Sequence, residues 1–321
     1  MRRVTIETGA RLHFGLLSHR PQTGRHFGGA GLMIDSPGVK LTASPASHDE
    51  VLGPDFLTDR IQNTIATYRN RVSAEHQPPP CRVEIEDFIP PHQGLGSGTQ
   101  LALAVGKALS LCADEGDLPA TELARRVNRG ARSALGIYGF EQGGFLIDGG
   151  KREREQIGTL VCRIEFPADW RILLITPATD AGLSGTDELH AFDRLAGMPE
   201  QATNRLCRLL VMELLPAIVE HKYSEAAEAI YQFGQEVGGY FEPVQGGRFA
   251  SRQMAELASS LRSRGIPGVG QSSWGPTLFA LQESQTAAET LAGELQNESK
   301  WDDCKIQISR PRNHGASITV T

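Results

Sequence analysis

The chain has 321 residues, 40% of them apolar and 22% charged, with a formal charge of -6. That length buries a substantial core, in two domains or one large one. The acidic balance, with an isoelectric point near 5.9, excludes a protein that grips nucleic-acid backbones, which needs concentrated Lys and Arg. No apolar run is long enough to span a bilayer, and the alternating start after Met1-Arg2-Arg3 reads as a strand, not a signal peptide. Cys81, Cys112, Cys162, Cys207 and Cys304 are widely spaced and odd in number. They read as reduced thiols of a cytoplasmic protein, not as a disulfide framework or zinc site.

In chain order, residues 3–8, 12–17 and 38–43 read as strands, with a glycine-rich turn at Gly28-Gly29-Ala30-Gly31 between the latter two. Residues 59–73 have helical spacing, and 82–86 alternate as a strand. Residues 99–112 and 121–131 read as helices, and 143–148 and 160–166 as strands. The apolar run 171–176 predicts a further strand, followed by a loop at 177–185 with Asp180 and Ser184. Helices are predicted over 187–195, 202–219 and 224–235, with Gly238-Gly239-Tyr240 and Gln245-Gly246-Gly247 interrupting the helical run. Residues 251–262 and 286–295 read as helices, 268–272, 277–281 and 305–309 as strands, and 319–321 as the finish of a sheet edge. Strands around a loop-led helix, then a second mixed layer, make an α+β protein. The expected domains are 1–170, binding phosphate and substrate, and 171–321, with a soft boundary at 165–185.

The most specific stretch is Pro91-His92-Gln93-Gly94-Leu95-Gly96-Ser97-Gly98-Thr99, which runs into an apolar, alanine-rich helix. Glycines there let backbone approach a ligand, and helix-start amides attract an anion. Gly94, Gly96, Ser97, Gly98 and Thr99 are therefore the candidate phosphate cradle. Ser97 and Thr99 either cap the helix or reach a metal-bound oxygen. The run lacks the terminal Lys-Ser/Thr of a Walker loop and the strand-first context of a dinucleotide fingerprint.

Pro91 to Thr99 resembles the second motif of the GHMP kinase superfamily, P-x-x-x-G-L-x-S-S/G-A/T. Gly9-Ala10-Arg11-Leu12-His13-Phe14-Gly15-Leu16 resembles its first motif, and Gly268 to Thr277 its glycine-rich third. Arg11 to Gly15, Gly94 to Ala102, Phe140-Glu141-Gln142-Gly143-Gly144-Phe145-Leu146-Ile147-Asp148-Gly149-Gly150 and Gln271-Ser272-Ser273-Trp274-Gly275-Pro276 look like the β-ribofuranosylaminobenzene 5'-phosphate synthase family within it. Many GHMP kinases carry Ser-Gly-x-Asp before a Gly-Gly turn, with the Asp as base. Here the run is Ser133-Ala134-Leu135-Gly136-Ile137-Tyr138-Gly139-Phe140-Glu141, without that Asp.

The resemblance implies a two-layer GHMP N-terminal domain with a left-handed βαβ unit and a ferredoxin-like C-terminal domain. It implies transfer of phosphoribose from phosphoribosyl diphosphate to 4-aminobenzoate or 4-hydroxybenzoate, releasing carbon dioxide and diphosphate, toward tetrahydromethanopterin. The alternative on this fold is an ATP-dependent small-molecule kinase. Such a transfer needs support for an electron-poor sugar and a highly charged leaving group. The catalytic candidates are Arg11, His13, Glu141 and Asp180. Arg11 and Arg25 offer planar forks to carboxylate or phosphate, although strand or loop charges look the same. His13 shares a strand face with Arg11, as a buried structural histidine also would. Gly143, Gly144, Gln245, Gly246, Gly247, Ser272 and Ser273 are candidates for contacting substrate, and Trp274 for stacking on the ring or filling the core. Magnesium is the expected cofactor, with Ser97 and Asp148 as its candidate ligands; Asp148 reads equally well as a solvated turn charge. The expected partners are small molecules, without nucleic acid or membrane, and a homodimer is the one protein assembly considered.

Overall fold

The computed structural model describes residues 2–178 and 185–321, the side chains of 185–189 excepted. Two long strands form its spine: β1, Val4–Ser18, pairs antiparallel with β2, Phe27–Pro45. The glycines at 28, 29 and 31, expected to turn, lie inside β2 instead. A Cβ on Gly29 would stand 2.6 Å from the Gly15 carbonyl oxygen, and one on Gly31 2.4 Å from that of Leu12. Here glycine permits close strand approach, not chain reversal.

β3 (Glu50–Leu52) lies parallel to β4 (Cys81–Asp87), with helix α1 (Asp55–Arg69) as the crossover. After β4 come α2 (Ser97–Cys112), α3 (Ala120–Arg126) and α4 (Leu135–Gln142), then β5 (Phe145–Asp148) and β6 (Leu160–Ile164). The first sheet runs in the order β1-β2-β4-β3, with β5 and β6 continuing from β2 and one further strand beyond β1. Its edge strand β11 (Ser317–Val320) returns from the end of the chain to pair with β1.

α2 is almost wholly buried, from Gln100 to Ser110. Its one lysine, Lys107, pairs with Asp117 and donates to the Leu118 carbonyl at 3.2 Å. Gln100 joins the helix to β1 and α4, accepting from the Thr8 hydroxyl and donating to the Gly136 carbonyl, each at 2.8 Å. Glycine spacing hides α4 in the sequence: a Cβ on Gly139 would stand 2.4 Å from the Met33 sulfur. The small residue lets this helix pack onto β2.

The second sheet starts at β7 (Arg171–Pro177). There follow α5 (Gly185–Arg194), α6 (Glu200–Leu209), a π-helical turn over Leu210–Leu214, α7 (Leu215–Val219) and α8 (Tyr223–Gln245). Gly238 and Gly239 do not interrupt α8; the Arg248 carbonyl approaches to 2.6 Å of where a Gly238 Cβ would be, so the glycine serves packing. Then come α9 (Arg252–Ser263), β8 (Val269–Gln271), β9 (Leu278–Gln282), α10 (Gln285–Gln296) and β10 (Cys304–Ser309). The strand order β10-β7-β9-β8, antiparallel throughout, is that of a ferredoxin-like sheet. Alternation along β7 serves both faces: Leu173 and Ile175 pack with α9 and α10, while Ile172 and Leu174 join the larger core shared with the first sheet.

Candidate active site

Three backbone segments meet at the start of α2. The Arg11 amide of β1 donates to the Leu95 carbonyl at 3.0 Å. The Ser272 hydroxyl donates to the Gly94 carbonyl at 2.8 Å and accepts from the His13 amide at 3.0 Å. The Ser273 amide donates to the His13 carbonyl at 2.9 Å. Gly94 and Gly96 take φ of 73° and 75°, which glycine adopts without strain. Loop 94–99, β1 and the turn after β8 are thereby fixed to one another. Ser97 and Thr99 do not cap α2; Gly96 is its N-cap and no side chain bonds there.

Beside this junction is a cavity of about 370 Å³. One part of its wall is cationic: Arg11, Arg60, Arg129 and Arg132 line it together with the loop from Gly94 to Thr99. The Arg11 guanidinium lies over Gly96, its Nε 3.5 Å from where a Cβ would stand; Arg60 Nη2 comes within 2.2 Å of that point at Gly98. Burial lowers the pKa of Arg60, and burial with the Arg60 charge lowers that of Arg129. Arg129 Nε is buried without a hydrogen-bond partner. No Asp or Glu is among the described residues that line the cavity. The start of α2 adds the positive end of a helix dipole, so the arrangement calls for a polyanion.

The remaining wall is apolar, with Leu16, Phe192, Val237, Phe241 and Trp274. Trp274 packs against Phe241 at 4.3 Å between ring centres and edge-on against Phe192 at 5.3 Å. Arg132 reaches from the cationic side to 5.6 Å from the Phe192 ring centre. His13 lies in the same cavity, 5% exposed, its Nδ1 sealed from solvent without a hydrogen-bond partner. Burial first, then the Arg11 and Arg132 charges, hold its pKa well below 6.5, so the ring is neutral at pH 7.

The structure thus brings together Arg11, His13, Gly94, Gly96, Ser97, Gly98, Thr99, Ser273 and Trp274, with Ser272 bonded beneath them. It does not bring Glu141, whose Oε1 accepts from the Ala120 amide at 2.9 Å at the start of α3, away from the cavity. Asp148 is fully buried and accepts from the Ala134 amide at 2.7 Å and the Gly150 amide at 2.8 Å. Arg25 donates to the Gly150 carbonyl at 2.9 Å and pairs with Glu155 at 2.8 Å. Gly143 and Gly144 abut the segment around Arg312, and Gln245 donates to Gly247 at the end of α8, all outside the cavity lining. Asp180 lies outside the described residues. Arg60, Arg129 and Arg132 were missed by sequence reasoning. The signal for the last two was Arg129-Gly130-Ala131-Arg132-Ser133, a compact basic loop before a helix.

The magnesium expectation can be tested against the donor set. The cavity's described lining offers Ser97 and Thr99 hydroxyls but no carboxylate, and both Asp148 oxygens are engaged by amides. These residues do not fit a magnesium ion held by protein carboxylates.

Residues 60–144, which carry the loop and three of the four cavity arginines, match the GHMP kinases N terminal domain. Over that stretch the chain is similar to the GHMP kinases. Over nearly its whole length, a Methanothermobacter thermautotrophicus protein named β-ribofuranosylphenol 5'-phosphate synthase is 29% identical, over 98% of this chain and 98% of its own length. The protein of that name from Archaeoglobus fulgidus is 27% identical over 99% of this chain and 100% of its own. Among solved structures, the mevalonate diphosphate decarboxylase of Enterococcus faecalis shares the fold, with a TM-score of 0.68 and 16% identity across 100% of both chains.

Proposed function

We propose that this chain is a decarboxylating phosphoribosyl transferase of methanopterin biosynthesis, joining phosphoribosyl diphosphate to a para-substituted benzoate with release of carbon dioxide and diphosphate. The observation that carries the reading is the division of one cavity into a cationic wall, Arg11, Arg60, Arg129 and Arg132, and an aromatic wall, Phe192, Phe241 and Trp274. The near full-length likeness to two proteins named as synthases of a ribofuranosylphenol phosphate supports it. That name favours 4-hydroxybenzoate as the acceptor.

The chemistry follows from the walls. The loop amides and the guanidiniums hold diphosphate and stabilise the charge it gains as the bond to ribose C1 breaks. The aromatic wall keeps the benzoate ring flat and excludes water, so that the ring carbon bearing the carboxylate meets C1 before solvent does. Carbon dioxide leaves from that same carbon, returning its bonding electrons to the ring. We assign no step to magnesium. No helix among the described residues is long and apolar enough to cross a membrane, and the five cysteines are unbridged. The unbridged cysteines support a place in the cytoplasm.

The test is incubation of the purified protein with phosphoribosyl diphosphate and carboxyl-labelled 4-hydroxybenzoate or 4-aminobenzoate. Labelled carbon dioxide and diphosphate should appear together without ATP. Consumption of ATP with an added alcohol, and no carbon dioxide from either benzoate, would establish the kinase instead.

A further inference from the structure

We infer that His13 makes the cavity selective for a para-hydroxy ring over a para-amino one, by taking the hydroxyl proton as the carbon–carbon bond forms and returning it after carbon dioxide departs. The inference rests on the transferase reading above.

Three observations carry it. His13 lines the cavity while being almost wholly buried, and its Nδ1 has no hydrogen-bond partner. Its backbone is held on both sides, by Ser272 at 3.0 Å and Ser273 at 2.9 Å, so the ring is presented from a fixed frame. The charged groups acting on it are both guanidiniums, Arg11 on its own strand and Arg132 on the segment before α4. On β2, the Cβ position of Gly29 lies 3.3 Å from Nε2. No carboxylate faces it among the described residues. The imidazole is therefore neutral, with one ring nitrogen unprotonated and able to accept a proton.

The proton balance separates the two acceptors. With a para-hydroxyl, the proton moves to the unprotonated ring nitrogen of His13 while the ring π electrons form the bond to ribose C1 and diphosphate leaves with the electrons of the C–O bond. The result is a dienone that still bears the carboxylate. Loss of carbon dioxide gives the phenolate, which takes the proton back from the imidazolium. A para-amino group needs no proton removed, because the nitrogen lone pair drives the same attack. Its intermediate keeps the positive charge on the iminium, while the hydroxyl route moves the same charge to the His13 imidazolium, so Arg11 and Arg132 oppose both alike. What separates the acceptors is that only the hydroxyl route needs a base, and His13 supplies it.

The experiment compares both benzoates on the wild-type protein and on His13→Gln and His13→Asn. With 4-hydroxybenzoate, kcat should fall about 100-fold or more, the scale of a lost general base. Turnover of 4-aminobenzoate should fall by less than about fivefold, so the preference shrinks or inverts. Raising the pH toward ionisation of the hydroxyl should restore part of the variant's rate with 4-hydroxybenzoate and none of its rate with the amine. Calorimetric binding of inorganic diphosphate, unchanged in the variants, shows the cationic wall intact. Equal losses with both acceptors, or no loss with either, overturn the assignment. If the wild-type protein releases carbon dioxide from neither benzoate, the transferase reading itself has failed and this inference falls with it.

Discussion

Two glycine-rich runs, 94–99 and 143–150, look alike in the sequence and do opposite work in the fold. In the first, Gly94 abuts the Ser272 and Gly275 carbonyls, but at the two glycines that open α2 the space of a missing side chain is filled by flexible cations: Arg11 over Gly96 and Arg60 over Gly98. Around the second it is filled by backbone: the His314 and Arg312 carbonyls at Gly143, the Ile164 carbonyl at Gly144 and the His26 carbonyl at Gly150. The Gly144 amide donates to the Arg312 carbonyl at 2.7 Å, and Arg163 donates to the Gln142 carbonyl at 3.2 Å. The first run is the one we propose for an anion, and the second fastens the end of the chain to the first sheet. What stands against the absent Cβ, not the number of glycines, separates a cradle from a buttress.

The largest effect that tests this contrast is expected from Gly143→Ala. Gly143 has φ 61° and ψ -166°, a region essentially closed to other residues, and the new Cβ would stand 2.4 Å from the His314 oxygen. Strain and collision with backbone together should cost about 3 kcal/mol or more of stability. Urea unfolding measures this, and a midpoint equal to wild type would break the buttress account.

A smaller loss is expected from Asp148→Asn. The carboxylate oxygens accept from the Ala134 and Gly150 amides, so an amide in its place turns one donor toward another donor. The expected cost is about 1–3 kcal/mol. Because the Ala134 bond anchors the segment that carries Arg129 and Arg132, affinity for inorganic diphosphate should fall as well. Loss of diphosphate affinity with no loss of stability would instead return Asp148 to the ligand site and sharpen the comparison against us.

These assignments also show what was legible beforehand. The loop before α2 announced itself because glycine, serine and then an unbroken apolar helix form one continuous local signal. The pairing of Arg11 with His13 was legible because strand alternation fixes their shared face. Arg60 was not, since a basic residue within the charged helix α1 looks like any solvated helix charge until the fold turns it over Gly98. Glu141 misled for the converse reason: a carboxylate beside a Gly-Gly turn suggests chemistry, whereas tertiary contact brings it to the open amides at the start of α3. Asp148 likewise meets amides that its sequence neighbours do not reveal.

The smallest and most discriminating effect is expected from Gly98→Ala. Gly98 lies in the first turn of α2, where alanine is a better helix former by roughly 0.5–1 kcal/mol. The one close neighbour of its new Cβ is Arg60 Nη2, at 2.2 Å, the far end of a flexible side chain. The thermal midpoint should therefore hold or rise slightly, while displacement of the guanidinium should weaken inorganic diphosphate binding about tenfold, or about 1.4 kcal/mol. If the loss passes through Arg60, it disappears in an Arg60→Ala background, because a residue already removed cannot be displaced again. Calorimetry on the wild type, the two single variants and the double variant closes that cycle. Additive losses would mean that alanine blocks the approach of the anion to the loop backbone itself, and the cradle would then owe its selectivity to the glycine amides rather than to the cation above them.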